Sequence, residues 1–179
     1  GPFEICSPVH FAANGQWIWP ASTWKDWSGH APEGMFSLAM HSTDKGKSWD
    51  SWNTVMDGRG RDIIHWEIKL ANLSDGRILA VSWTHDASTE ADLPIHYAIS
   101  ADNGRSFSIP KSTGLLGQTC TPTILPDGRI LCVYRRTDQA GLWAQVVEIQ
   151  EEGWVNHDTT LVWEGTSHLG KRAADSVVE

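Results

Sequence analysis

Two carboxylates and a scatter of arginines are the residues in this chain best suited to acid/base chemistry and to holding an anionic group. Glu67 stands in the run IIHWEIKL, residues 63 to 70, where a charge among apolar neighbours needs a partner if it is buried. Asp62 and Arg61 close the glycine-rich segment DGRGRD, in which solvated loop charges are equally commonplace. Glu67 and Asp62 are the candidates for general acid/base work. The candidates for holding an anionic group are Arg61, Arg135, Arg136, His85 and Asp86, because a planar guanidinium grips a carboxylate through two parallel hydrogen bonds. Adjacent strand residues face opposite ways, so only one of Arg135 and Arg136 can face a pocket. His85-Asp86 has two readings, an acid/base pair or a hydrogen bond at a loop end.

Composition narrows the partners. The 179 residues carry a formal charge of −8 and no Lys/Arg run, which argues against a nucleic acid, since that affinity comes from clustered cations. No apolar stretch approaches the roughly 18 residues needed to cross a bilayer, so no membrane partner is expected. Tryptophan is abundant, with 11 copies against 2 tyrosines. One of Trp17, Trp19, Trp24 and Trp27 could serve as a sugar platform, although the period-two spacing of Trp17 and Trp19 suits a strand packed on a neighbouring sheet. Cys6, Cys120 and Cys132 are widely spaced with no CxxC pair and read as buried free thiols. No metal and no cofactor is expected. Gly1-Pro2 matches the stub left by a site-specific protease, which leaves the natural start and the compartment open.

The elements that must position these residues repeat. Ser42-Thr43-Asp44-Lys45-Gly46-Lys47-Ser48-Trp49 and Ser100-Ala101-Asp102-Asn103-Gly104-Arg105-Ser106-Phe107 both read S-x-D-x-G-x-S-aromatic and start 58 residues apart. Asn14-Gly15, Asp75-Gly76 and Asp127-Gly128 each precede an apolar run, at intervals of 61 and 52 residues. Such dipeptides predict β-hairpins, with type I′ turns that need positive φ at both central residues. No segment holds a 3.6-residue apolar period, so the chain reads as all-β. The middle unit is predicted as strands at 63–73, 77–85, 94–100 and 105–111. The first unit is predicted at 3–12, 16–23, 35–41 and 48–55. The third opens near 118 and has later strands near 141–149 and 154–162. Four strands per 50 to 60 residues, repeated, is the pattern of propeller blades. The blades are expected at 3–58, 59–114 and 115–165, followed by a polar tail at 166–179. In the third, Glu151-Glu152-Gly153-Trp154 stands as a degenerate copy of the eight-residue motif.

In each motif the Asp carboxylate is expected to accept loop N–H groups, the glycine to supply positive φ, and the aromatic to anchor the turn by burial. Ser42, Asp44, Gly46 and Trp49, with Ser100, Asp102, Gly104 and Phe107, are thus fold devices. Two copies at blade spacing resemble the Asp boxes of the sialidase (neuraminidase) superfamily, and GQTCTPTILPDGRILCVYRR followed by GLWAQV looks like its bacterial glycosidase members. The resemblance implies a six-bladed β-propeller, of which three blades would be about half. It also implies a glycoside hydrolase acting on glycan termini, often secreted, with a tyrosine–glutamate nucleophile pair, an aspartate acid/base and three arginines. The Phe-Arg-Ile-Pro motif of the family's first blade does not occur, and neither Tyr97 nor Tyr134 has a nucleophile's context, so the site candidates rest on geometry. The alternative reading is a non-catalytic propeller module that binds carbohydrate or protein.

Strand order assigns the loops to two faces. The tight turns and the eight-residue motifs share one, and the longer loops and blade connections share the other, where a pocket is expected. Three blades also leave an open sheet face at each end, to be covered by a two-fold homodimer or by the remaining half of a longer chain.

Overall fold

The computed structural model describes residues 3–164, and the expected polar tail at 166–179 lies outside them. The described chain forms three antiparallel meanders. The first sheet joins β1 (Phe3–Glu4) and β2 (His10–Phe11), both along one edge of β3 (Trp17–Thr23), then β4 (Ser37–Ser42) and β5 (Ser51–Met56). The second runs β6 (Ile63–Asn72), β7 (Ile78–Asp86), β8 (Ala91–Ser100) and β9 (Lys111–Ser112). The third runs β10 (Gly117–Ile124), β11 (Ile130–Arg136), β12 (Leu142–Gln150) and β13 (Gly153–Trp163).

The sheets pack face to face because their second strands are apolar on both sides. In β7, Ile78 and Ala80 enter a core with Ile18 and Ala39 of the first sheet and Ile68 of their own, while Leu79 and Val81 enter another with Cys120, Ile130 and Cys132 of the third. A strand with one face in water would instead alternate apolar and polar residues.

The hairpin turns differ from expectation. Gly15, Gly76 and Gly128 have φ of 83°, 86° and 87°, but the residue before each does not share the left-handed conformation. Gly76 N–H donates to Leu73 O at 3.0 Å and Leu73 N–H to Arg77 O at 2.8 Å, and the same pair of bonds recurs at the other two turns. This is a type I turn closed by a left-handed glycine, a three-residue loop in place of the two-residue type I′ form.

Two predicted strands are also interrupted. The segment expected at 3–12 splits into β1 and β2, with residues 5–9 bulging away. Pro8 has no N–H for the ladder. Ser7 Oγ instead donates to Ile68 O, and Lys69 Nζ to Cys6 O. Cys6 is consequently exposed, whereas Cys120 and Cys132 are buried free thiols. The strand expected at 105–111 survives only as Lys111–Ser112. Before it, Ser108 Oγ takes a ladder position, accepting from Ile99 N–H at 3.0 Å, and Pro110 interrupts the pairing, which resumes at Lys111.

The two S-x-D-x-G-x-S-aromatic turns carry one hydrogen-bond network twice. Asp44 Oδ1 accepts from Ser42 Oγ at 2.8 Å and Ser48 N at 2.9 Å, and Asp44 Oδ2 accepts from Ser48 Oγ at 2.7 Å. Asp102 repeats this with Ser100 Oγ at 2.8 Å, Ser106 N at 2.9 Å and Ser106 Oγ at 2.6 Å. Gly46 and Gly104 each donate to the first serine at 2.8 Å. These bonds to the ionised form hold the Asp44 carboxyl down at about 2, the Ser48 N–H contributing most. Phe107 packs on the core between the first two sheets, but Trp49 meets Trp19 of its own sheet, ring centroids 6.1 Å apart, because no sheet of the described chain lies beyond the first.

Candidate functional site

The same irregularity interrupts β6 and β10. In β6 residues 67 and 68 stand opposite one residue of β7, and in β10 residues 119 and 120 stand opposite one residue of β11. Glu67 and Thr119 take left-handed φ of 50° and 52° there, each at a cost of about 1–2 kcal/mol. Bulges re-aim side chains, and these two meet: Thr119 Oγ1 donates to Glu67 Oε2. The Glu67 N–H donates to Glu4 Oε2 at 3.0 Å. Burial pushes the Glu4 carboxyl above its usual value. The Glu67 charge adds to that effect, while the Glu67 N–H bond and the Lys69 ammonium oppose it. Lys69 also donates to Ser7 Oγ at 3.1 Å, and a cavity of about 200 Å³ lined by Ser7, His10, Lys69 and Thr121 opens beside this group. Two carboxyl groups thus share one small polar site.

A second polar group spans the second and third sheets and is centred on Asp92. Its Oδ1 accepts from Trp83 Nε1 at 2.8 Å and lies 3.0 Å from His85 Nδ1, and its Oδ2 accepts from Gln118 Nε2 at 2.5 Å. The Gln118 Oε1 in turn accepts from Arg135 Nη2. Trp66 lies against the His85 ring, centroids 5.2 Å apart and planes at 20°.

No family model matches the sequence, and no curated protein matches it. Solved structures do match in fold. The Hadza microbial sialidase Hz136 aligns with a TM-score of 0.62 at 15% identity, over 88% of this chain and 37% of that one. The structure described as NanB plus Optactamide aligns with a TM-score of 0.66 at 8% identity, over 89% of this chain and 44% of that one. A putative exo-beta-1,3-galactanase from Bifidobacterium bifidum s17 aligns at 0.52 and 15% identity, over 84% of this chain and 50% of its own. The fold is that of a sialidase-type β-propeller. The chain spans a third to a half of the length of these solved propellers. In a propeller the first strand of each sheet lines the central channel, which places Glu4, Glu67, Lys69 and Thr119 beside it.

Among the residues expected from sequence, Glu67 lies at this channel and Asp62 does not. Asp62 is exposed at the end of the 3-10 turn Arg59–Arg61, five residues before Glu67 and so roughly 16 Å away along the strand. That exceeds the separation of about 5–10 Å at which two carboxyl groups cooperate on a glycosidic bond. Arg61 is exposed on the same turn. Asp86 caps its loop, accepting from Ser88 N at 2.9 Å and Thr89 N at 3.2 Å, so the partner of His85 is Asp92 and not its neighbour in sequence. Arg135 and Arg136 separate as strand alternation requires. Arg136 is neutralised by Asp138, 2.5 Å away, and lies over the Trp143 ring.

Arg135 is different. Arg59, Arg77 and Arg129 are each paired with an aspartate two residues before, at 2.6, 2.6 and 2.7 Å. Arg135 is half-buried and held by a neutral amide, so its charge is left for another anion. Sequence reasoning missed Glu4, Asp92, Gln118 and Thr119. A signal existed for Thr119, which follows Glu67 by 52 residues, the interval between the Asp75-Gly76 and Asp127-Gly128 turns. Asp92 carried none, because its place opposite His85 follows from the β7–β8 register.

Proposed function

We propose that this chain is part of a sialidase-like glycoside hydrolase acting on glycan termini, with its two eight-residue turns serving as Asp boxes. The observation that carries the reading is the carboxyl pair at the channel. Glu4, whose carboxyl burial holds above its usual range, is the proton donor to the leaving oxygen. Glu67, steadied by Thr119, is the carboxylate that faces the developing positive charge of the sugar. Arg135 anchors an anionic substituent such as a sugar carboxylate. The test is a panel of chromogenic neutral, uronic and sialic glycosides against the wild type and Glu67→Gln. Turnover of a member of the panel is expected, falling about 10²- to 10⁴-fold in the variant. Saturable sugar binding with no turnover of any substrate would replace this reading with a carbohydrate-binding module.

We also propose that a second copy of the chain closes the ring. Trp19, Met40 and Trp52 stand in register on the outer face of the first sheet, beside a cavity of about 400 Å³ lined by Phe3, Trp24, Phe36 and Leu38. Leu131 and Val146, with Val133 and Ala144, form the opposite outer face on the third sheet. A two-fold axis lets the bulky face of each copy meet the aliphatic face of the other, completing six sheets. Light scattering over a concentration series is expected to give twice the chain mass of 19.8 kDa. A monomer at every concentration would overturn ring closure by a second copy.

A further inference from the structure

We infer that Asp92 is a positioning residue for Arg135, acting through the Gln118 amide; this rests on the reading of Arg135 as the anchor for an anionic group. An ionised carboxylate only accepts hydrogen bonds. Asp92 is reached by three donors, Trp83 Nε1, His85 Nδ1 and Gln118 Nε2, and therefore fixes which end of the Gln118 amide faces it. The amide nitrogen must turn to Asp92, so the amide oxygen must turn to Arg135. Were the amide reversed, its N–H groups would confront the guanidinium N–H groups and push the arginine away. The lock also has an electrostatic purpose. A carboxylate at position 118 would still bond Arg135, but it would cancel the charge, as Asp138 does for Arg136, and would face Asp92 with no donor between them. A neutral amide, oriented at one remove by a half-buried carboxylate, holds the guanidinium still and leaves its charge available. The His85 bond serves the same end. Because Asp92 can only accept, the His85 proton sits on Nδ1, and Trp66 lies over that ring, so the carboxylate is itself held from two sides.

Other polar clusters lack this logic. The Asp57–Arg59, Asp75–Arg77 and Asp127–Arg129 pairs are self-neutralised at exposed turns. Among the described residues, only the Asp92–Gln118–Arg135 chain runs from a carboxylate, through an amide, to a cation whose remaining donors are uncommitted.

The test compares D-glucuronate with D-glucose by calorimetry, and follows the Arg135 Nη–H signals by ¹⁵N NMR in the ligand-free protein. Asp92→Asn is nearly isosteric but cannot satisfy three donors, and Gln118→Met removes the amide while leaving Asp92 its other two partners. In both variants the Arg135 Nη–H signals are expected to shift and exchange faster with water. Glucuronate affinity is expected to fall about tenfold, with glucose affinity unchanged. Gln118→Glu is expected to abolish glucuronate binding while keeping the Nη–H signal protected, a split that lost packing alone would not produce. An Arg135 signal unaltered in both Asp92→Asn and Gln118→Met would overturn the positioning role. If glucuronate binding survives Arg135→Ala, the anchor reading itself fails and the positioning role goes with it. Loss of binding in Arg135→Ala, with none in Asp92→Asn or Gln118→Met, overturns the positioning role alone.

Discussion

Lowering the pH from 7 to 5 is expected to destabilise the folded chain, and His65 is expected to carry much of the loss. Its side chain is fully buried, its Nε2 has no hydrogen-bond partner, and its Nδ1 lies 3.4 Å from Thr84 Oγ1. The His96 ring stands 5.3 Å away. Burial above all, then the His96 and Arg61 charges, lower the His65 pKa to about 3, with Asp57 opposing weakly. His96 is lowered too, by burial and by Arg61. The folded value lies below the unfolded value of about 6.5, so the stabilisation is full above that pH and is lost as pH falls toward 3. The slope for one such group is about 1.4 kcal/mol per pH unit, so His65 alone accounts for about 2 kcal/mol by pH 5. Urea unfolding at pH 7, 6 and 5 should show this decline, and His65→Leu should remove most of it. A decline of undiminished slope in His65→Leu would refute the assignment. The aspartates of the two eight-residue turns act in a separate window. Their pKa values are depressed, so their contribution is kept until the pH drops below about 4.

Replacing Gly104 by alanine is expected to cost far more than the same change at Gly76. Both glycines sit at left-handed φ, 84° and 86°, and an L-residue there costs about 1–2 kcal/mol in either place. At Gly76 an added Cβ meets nothing within 4 Å, but at Gly104 it falls 2.6 Å from Ile18 Cδ1 and 3.7 Å from Ile78 Cδ1. Ile18 is fully buried between the first and second sheets, so its Cδ1 must shift against a packed core to make room. Overpacking adds about 1–3 kcal/mol, so Gly104→Ala should lose roughly 2–5 kcal/mol against about 1–2 for Gly76→Ala. Equal losses in denaturant titrations would show that the turn does not wedge between sheets as described.

Gly104 also shows why the motif was legible. Its serine, aspartate and glycine act within eight residues, so their bonds depend on little beyond local sequence. The hairpin glycines were legible for the same reason, yet their turn type was not. Asp75-Gly76 is compatible with a type I′ turn and with a type I turn ended by a left-handed glycine, and only the pairing of Leu73 with Arg77 separates them. The broken β1–β2 edge was misread because Ser7 and Cys6 find their partners in Ile68 and Lys69, some 61 to 63 residues away.

By itself the sequence determined the all-β class, the three repeated meanders, the paired eight-residue turns and the separation of Arg135 from Arg136. Each follows from interactions between residues close in the chain or from the period of a strand. The tertiary structure alone decided which charges meet. It brought Glu4 against Glu67, gave His85 to Asp92, and left Arg135 on a neutral amide while the arginines of the hairpin turns were neutralised. Those pairings depend on sheet register and on two bulges whose side chains meet only when neighbouring sheets pack, a geometry that no local pattern encodes.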